Sequence, residues 1–359
     1  MVKVVIVGCG VVGAAIAYEL SQVSGLEITV VDQNPPAQGS TGAALGVLVG
    51  IISQKTKGRA WELRARSMKR YETLVPEVEA LTGERIPYNR QGILNLCFAG
   101  ENLGVWENLA QIRQAQGWEL KLLTTEQVQA QYPQINCDPV IGAVYSPQDR
   151  QVDPVKLTLG LIKAAQHRGV NFQFGVTVEP LPVREQSSQN PSLCTSAGTL
   201  RTDWVILAAG LGSSSLSPQA PEIRPVLGQA IQVQLAQELG EDLPVITGED
   251  VHIVPLGDQQ YWIGATVEFP TPTGEVKADS EKLDGVMAKA RAICPGLAQG
   301  AILRQWSGLR PRPEGQAAPV IERLSGFSHV LLATGHYRNG VLLAPATAQI
   351  VREIVGEGA

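Results

Sequence analysis

Residues 2–33 read VKVVIVGCGVVGAAIAYELSQVSGLEITVVDQ, and this stretch decides the fold of the chain. An apolar run stops at Gly8, further glycines follow at Gly10 and Gly13, and a helix-forming segment leads to a β-branched run that ends on Asp32. This order is typical of a dinucleotide site, because glycines admit a pyrophosphate and the acid accepts ribose hydroxyls. Asp32 argues against a 2′-phosphate, but the pattern leaves NAD and FAD as alternatives.

The size and composition of the chain are those of a soluble globular protein with two domains. It has 359 residues, of which 44% are hydrophobic and 18% charged, and a net charge of −5 at pH 7. This length exceeds one ordinary core, and the charge gives no general attraction to nucleic acid or anionic lipid. The first strand begins almost at once and no apolar run has the length of a membrane span, so we expect a cytoplasmic protein without a signal peptide.

Cysteine and histidine residues form no pattern that indicates a disulfide framework or a metal site. The five cysteines lack a paired spacing and the four histidines lie far apart. We therefore expect neither disulfides nor a bound metal.

Helical and extended patterns alternate along the rest of the chain. Apolar spacing and caps predict helices over 59–81, 155–167, 274–293 and 341–355. The strand 203–210 ends on Ala209 and Gly210, which indicates a second strand end facing the nucleotide in the same parallel sheet. The stretch 225–268 alternates with period two and predicts an antiparallel sheet, whereas the polar stretch 182–198 is expected to be a long exposed hairpin loop.

A cluster of basic side chains lies around the start of the first long helix. We interpret it as a solvated helix face, with a partner-binding patch as the alternative. The cluster consists of Lys55, Lys57, Arg59, Arg64, Arg66, Lys69 and Arg70.

Two arginines differ from the rest because they are predicted to lie in turns rich in glycine and proline. Arg310 stands in QWSGLRP and Arg338 in HYRNG. A guanidinium held in this way can bind a carboxylate through two parallel hydrogen bonds, and a surface or structural ion pair is the alternative for each. Asn339 and Gly340 begin the last helix, where unpaired N–H groups could support an anionic ring.

A series of motifs, taken in order, resembles the flavin-dependent amine oxidases of the D-amino acid oxidase type, and most of all the glycine oxidases of thiamine biosynthesis. The motifs are GCGVVG (8–13) with Asp32, STGAALGVLVG (40–50), DWVILAAG (203–210), RPVLGQ (224–229), VHIVP (251–255), IGATVE (263–268), QWSGLRP (305–311) and GHYRNGVLLAP (335–345). The resemblance implies an α/β fold in which a Rossmann-like FAD-binding domain carries a substrate domain with a mixed or antiparallel sheet. The division it implies is 1–84, 142–218 and 304–359 for the FAD-binding domain, with 85–141 and 219–303 forming the substrate domain.

The same resemblance implies non-covalent FAD and a set of contacts to it. These contacts, together with the glycine positions of both nucleotide-facing turns, are Gly8, Gly10, Val11, Val12, Gly13, Asp32, Gln33, Ser40, Thr41, Leu45, Gly46, Val47, Val178, Ala209, Gly210, His336, Tyr337, Arg338, Asn339, Gly340, Val341 and Leu342. Arg310 matches the arginine that holds the substrate carboxylate, and Arg338 matches a second arginine that contacts the substrate. His252 stands where the family usually has a tyrosine touching the carboxylate, so we expect it to contact the substrate or to fill a strand position beside it.

The reaction implied is oxidation of glycine or another small amino acid or amine to the 2-oxo acid and ammonia. Dioxygen is the expected electron acceptor and hydrogen peroxide the second product. One alternative is a dehydrogenase of the same fold that passes electrons to a quinone or carrier protein. Another is a non-catalytic flavin-binding protein with an assembly or regulatory role. The sequence leaves the oligomeric state open, a homo-oligomer included.

Overall fold

The fold is described from a computed structural model, which describes residues 1–182 and 192–357. The strands are β1 (Val2–Val7), β2 (Leu26–Asp32), β3 (Val47–Leu48), β4 (Tyr88–Asn89), β5 (Ile93–Phe98), β6 (Lys121–Leu123), β7 (Val140–Ser146), β8 (Arg150–Val152), β9 (Asn171–Phe174), β10 (Ser192–Thr195), β11 (Gly198–Arg201), β12 (Trp204–Leu207), β13 (Ile223–Gln234), β14 (Val245–Gly248), β15 (Val251–Gly257), β16 (Gln260–Gly264), β17 (Ala301–Pro313), β18 (Val320–Arg323) and β19 (Val330–Thr334).

The helices lie between these strands. They are α1 (Val11–Leu20), α2 (Gly58–Thr82), α3 (Leu103–Ala115), α4 (Thr125–Gln131), α5 (Pro154–His167), α6 (Ser213–Leu216), α7 (Ser280–Ile293) and α8 (Gly340–Gly356), with 3₁₀ turns at Gly210–Gly212, Pro295–Gln299 and Tyr337–Asn339. Among the described residues, no helix combines the length and the apolar character needed to cross a membrane.

The first layer of the molecule is a six-stranded sheet in the order β18-β19-β12-β1-β2-β9. Neighbouring strands within this sheet run parallel to each other, except that β18 pairs antiparallel with β19. The turn between β1 and α1 is tight because Gly8 has φ of 102° and a Cβ there would lie 2.6 Å from the carbonyl oxygen of Ala208. Gly13 lets α1 pack on this turn, since a Cβ on Gly13 would lie 1.9 Å from the Gly8 carbonyl oxygen.

The second strand-helix-strand unit forms as the sequence predicts. The Asp153 side chain accepts hydrogen bonds from the backbone N–H groups of Val155 and Lys156, which begins α5. The helix returns the chain to β9, which pairs in parallel with β2. The strand β12 likewise pairs in parallel with β1, so its C-terminal end opens beside the first glycine turn.

The second layer is an eight-stranded mixed sheet in the order β17-β13-β16-β15-β14-β5-β7-β6. Two distant chain segments meet where β14 pairs in parallel with β5, and the other neighbours are antiparallel. One face packs on α7 around a cluster that contains Leu283, Met287 and Tyr261. The predicted domain division stays a prediction, and two of its boundaries, 141/142 and 303/304, fall inside β7 and β17.

Two predictions of local structure differ from the structure, and a third falls partly outside the described residues. The helix predicted over 274–293 begins only at Ser280, because Asp279 caps it and donates its own N–H to the buried carboxylate of Glu268. Arg310 lies in the long strand β17 rather than in a turn, because 301–313 pairs with β13 along almost its whole length. Of the hairpin loop predicted over 182–198, residues 183–191 lie outside the described residues, and 192–198 belong to the hairpin of β10 and β11.

The basic cluster at the start of α2 is only partly the solvated face that the sequence predicts. Lys55, Lys57, Arg59 and Lys69 are exposed, whereas Arg64, Arg66 and Arg70 are partly buried. The Arg70 side chain is 9% exposed because its guanidinium bonds the carboxylates of Glu19 and Glu77, which offset the cost of burying its charge.

Candidate functional site

A single cavity of about 1550 Å³ joins the two sheets. Its wall includes the turn after β1, the loop over 33–47, the end of β12 and the start of α8, together with one face of the eight-stranded sheet. A typical small-molecule pocket has a volume of roughly 300–1000 Å³. The cavity therefore has room for a large cofactor and a small second molecule.

The nucleotide end of the cavity is built from backbone and small side chains. The Asp32 carboxylate accepts the N–H of Cys9 at 2.6 Å and that of Asn34 at 2.9 Å. The Thr41 hydroxyl accepts the N–H of Val11, the first residue of α1, at 3.0 Å. A Cβ on Gly10 would lie 3.1 Å from the Thr41 hydroxyl oxygen, so glycine keeps this part of the cavity open.

These features fit the diphosphate and ribose of a dinucleotide. The first turn of α1 lines the cavity, and the unpaired N–H groups of a helix N-terminus favour an anion. Burial, with the charge of Asp32 second, raises the pKa of the Cys9 thiol, which keeps it neutral in this turn. All five cysteines are free, and Cys9 packs as a buried apolar group.

The C-terminal wall of the cavity is the segment from His336 to Leu342, where a 3₁₀ turn runs into α8. Among residues 1–182 and 192–357, no side chain caps the first turn of α8, so its N–H groups stay available to a ligand. His336 lies beneath this turn with its Nε2 2.9 Å from the Thr347 hydroxyl. Burial, with the charge of Arg59 second, lowers the pKa of His336 to about 3, so this ring is neutral.

Arg310 reaches into the other end of the cavity over a bare stretch of backbone. Its Nη1 donates to the carbonyl oxygen of Leu227 at 3.0 Å. A Cβ on Gly228 would lie 2.2 Å from Nη2 of Arg310, so only glycine leaves room for the guanidinium here. Burial and the nearby charge of Arg338 lower the pKa of Arg310, which indicates that the guanidinium lacks full compensation of its charge.

A buried carboxylate lies behind this arginine. Glu268 accepts hydrogen bonds from Thr266, from the Gln229 side chain and from the N–H of Asp279. Its backbone pairs with Leu227, the residue whose carbonyl holds Arg310. The network fixes the strand on which the guanidinium rests.

His252 projects from β15 into the same end of the cavity. Burial, followed by the charge of Arg338, lowers its pKa to about 4. Its Nδ1 is buried and has no hydrogen-bond partner within residues 1–182 and 192–357. A neutral imidazole therefore lies near two arginines, Arg338 and Arg310, with the carboxylate of Asp250 as the opposing charge.

The structure gathers the predicted site residues around one cavity, except Gly13, which packs α1 onto the turn. The lining positions are Gly8, Gly10, Val11, Val12, Asp32, Gln33, Ser40, Thr41, Leu45, Gly46, Val47, Val178, Ala209, Gly210, His252, Arg310, His336, Tyr337, Arg338, Asn339, Gly340, Val341 and Leu342. Their individual roles stay predictions.

The sequence-based prediction missed several cavity residues. Trp306 donates its indole N–H to the carbonyl oxygen of Ala43 at 3.1 Å, which joins the sheet to the nucleotide loop. Arg64 was assigned to the solvated face, yet it lines the cavity and its buried Nε has no partner in the described part of the chain. Asn95 and Thr247 form a polar pair on the sheet. The motif QWSGLRP contains Trp306 and could have indicated it as a site residue. No motif in the sequence indicated Arg64, Asn95 or Thr247.

The fold and the cavity define a class of nucleotide-dependent oxidoreductase, and comparison with known proteins identifies the family. Residues 3–354 match the family of FAD-dependent oxidoreductases that bears the name DAO. The chain belongs to this family and its cofactor is FAD. The predicted fold class is therefore confirmed, as is the resemblance to D-amino acid oxidases.

Individual relatives show which members of this family the chain is similar to. The chain is 32% identical over 365 residues to the bifunctional protein ThiO/ThiG of Synechocystis sp., which covers 98% of this chain and 51% of that protein. It is 27% identical over 362 residues to the glycine oxidase of Bacillus subtilis, and this match covers 98% of this chain and 92% of that protein. The crystal structure of glycine oxidase from Bacillus cereus superimposes with a TM-score of 0.87 at 26% identity, covering 99% and 96% of the two chains. The chain thus spans about half the length of the ThiO/ThiG relative.

Proposed function

We propose that this chain oxidises a small amino acid, with glycine as the reference substrate, to the 2-oxo acid and ammonia. The observation that carries this proposal is the Arg310 guanidinium, which lies over Gly228 in a cavity that also contains the glycine turn. Relatives that carry the name glycine oxidase match nearly the whole chain. Glycine would give glyoxylate, and dioxygen is the proposed electron acceptor with hydrogen peroxide as its product.

Arg310, Arg338 and His252 are the proposed substrate-binding residues. The substrate carboxylate binds the Arg310 guanidinium through two parallel hydrogen bonds, which fix the orientation of the α-carbon. His252 stays neutral at pH 7 and adds no third positive charge beside the two arginines. FAD supplies the acceptor for the two electrons that leave the substrate.

The proposed reaction requires little acid–base catalysis by protein side chains. The amine becomes an imine when the C–H bond at the α-carbon breaks and its hydrogen leaves with both electrons, as a hydride that bound FAD would accept, and a proton leaves the nitrogen; water then hydrolyses the imine to the 2-oxo acid and ammonia. The cavity wall also holds Glu101, Glu249 and Asp250, but the groups proposed to hold the substrate are two arginines and a neutral histidine. Orientation and charge stabilisation are therefore the main contributions of this chain.

The test is the visible spectrum of the purified holoenzyme under anaerobic conditions, with glycine, sarcosine and D-alanine added in turn. We expect one of them to bleach the flavin, and the colour to return with formation of peroxide when air is admitted. Bleaching that reverses slowly in air and quickly with a soluble quinone would indicate a dehydrogenase. A spectrum that no amine changes would favour a non-catalytic flavoprotein.

A further inference from the structure

A row of residues crosses the eight-stranded sheet on the side of the cavity. Asn95 lies opposite Thr247, Thr247 opposite His252, and His252 opposite Gly264, which in turn pairs with Ala230, itself opposite Trp306. Directly paired residues point to the same face of a sheet. We call Asn95, Thr247, His252, Gly264, Ala230 and Trp306 the cross-strand row, and all of them except Gly264 line the cavity.

Arg310 lies on this same face. It is four residues from Trp306 along β17, so the two side chains have the same orientation. Its guanidinium rests over Gly228, which is two residues from Ala230. The proposed carboxylate position is therefore beside the row, between Arg310 and His252, and Thr247 lies one strand further, about 5 Å beyond His252.

The far end of the row carries hydrogen-bonding groups of complementary kind. The Thr247 hydroxyl donates its hydrogen to Oδ1 of Asn95 at 2.7 Å, which leaves the threonine oxygen as an acceptor. Nδ2 of Asn95 has two hydrogens and gives one to the Leu96 carbonyl at 3.3 Å. The Asn95 side chain also interacts with the Cys97 thiol, a weak acceptor that a ligand oxygen can replace, so the pair offers one acceptor and one donor side by side.

A neutral polar group matches this pair best. A carboxamide or hydroxyl can donate to Thr247 and accept from Asn95 at once, whereas a carboxylate cannot donate and an aliphatic group leaves both unpaired. Unpaired polar groups in a closed site are costly, so such a pair selects against substrates that lack the matching group.

We propose that the side-chain pocket of this site is the Thr247–Asn95 pair, and that it selects an amino acid with a short neutral polar side chain. This inference rests on the proposed function, since it places the substrate carboxylate at Arg310. A competing feature is Arg64, a further cation on the cavity wall without a carboxylate partner in the described chain, which would favour an acidic side chain.

The experiment uses three amino acids of nearly equal shape with the purified holoenzyme. Asparagine, aspartate and leucine, each as both enantiomers, are compared by kcat/KM, with glycine as the reference for the reaction itself. We expect asparagine to exceed both leucine and aspartate by about tenfold or more.

Two variants assign the preference to the pair. Thr247→Val removes the hydroxyl at nearly constant shape and should lower the ratio of asparagine to leucine by about tenfold, whereas Thr247→Ser keeps the hydroxyl and should restore the ratio. Thr199→Val is the matched control, because Thr199 lies exposed on β11 away from the cavity. Flavin content is measured for each variant to show that it binds its cofactor.

The outcomes distinguish failure of this inference from failure of the proposed function. Oxidation of glycine without asparagine, a preference for aspartate, or an unchanged ratio in Thr247→Val would overturn the inference and leave the proposed function standing. If no amino acid bleaches the flavin, the proposed function is overturned and the inference with it.

Discussion

The two ends of the cavity differ in the groups that form them: backbone and small side chains form one end, and long side chains form the other. The nucleotide end consists of backbone and small side chains from short continuous segments, chiefly residues 8–12 and 40–47. The sheet end consists of long side chains, Arg310 and His252 among them, that come from strands far apart in the chain. A site made of backbone depends on local conformation, whereas a site made of side chains depends on the register between strands.

The largest effect is expected when the backbone-built end is broken. Gly8→Ala should lose bound FAD and lower the free energy of unfolding by at least ~2 kcal/mol, because φ is 102° and the new Cβ would lie 2.6 Å from the Ala208 carbonyl oxygen. Gly25→Ala is the control, since its φ is 84° but nothing lies within 4 Å. Flavin absorbance and thermal unfolding measure both, and equal losses in the two variants would show that the close approach is unimportant.

The next effect concerns the side-chain-built end. Arg310→Ala should raise KM for glycine by about tenfold to a hundredfold, because a hydrogen bond to a charged group contributes ~1.5–3 kcal/mol, while FAD content stays unchanged. Arg312→Ala serves as the control, because Arg312 lies on the same strand and pairs with Glu314 instead. Steady-state kinetics that do not distinguish the two variants would remove Arg310 from the substrate site.

A subtler change at the same place is Gly228→Ala. The added methyl group would displace the Arg310 guanidinium, the mobile end of a flexible side chain, so we expect KM to rise by about tenfold at most with the fold retained. In the Arg310→Ala background, Gly228→Ala should add nothing further. Additive effects in this double-mutant cycle would mean that Gly228 acts by another route than the arginine.

The smallest effect concerns His252, which is partly buried on the cavity wall. The pKa of His252 is about 4 in the folded chain against 6.5 for an ordinary histidine, so the unfolded chain binds more protons between these values. Its contribution to stability is complete above pH 6.5 and is lost as the pH falls toward 4, by about 1 kcal/mol between pH 6 and pH 5.

His252→Asn should therefore reduce the fall in stability between pH 6 and pH 5, as measured by urea unfolding of the holoenzyme. His167→Asn is the control, because His167 is exposed at the end of α5. An identical pH dependence in the wild type and His252→Asn would show that His252 is not held neutral by burial.

Much of the fold follows from local patterns. The glycine turn with its flanking strands and the cap at Asp153 depend on neighbours a few residues away, so the sequence predicts them correctly. The predicted start of α7 was wrong because the capping residue Asp279 is held by Glu268, which lies eleven residues earlier and outside the helical pattern. The burial of Arg70 was missed because its partner Glu19 lies on another helix.

By itself, the sequence determined the nucleotide half of this protein: the parallel strands, the glycine turn, the acid at Asp32 and the family to which the chain belongs. The tertiary structure alone decided that Arg310 lies over Gly228 and that Asn95, Thr247 and His252 line one face of the cavity. The physical reason is that a turn is specified by the conformational freedom of its own residues. The meeting of side chains across a sheet is specified by strand register, which the whole fold sets.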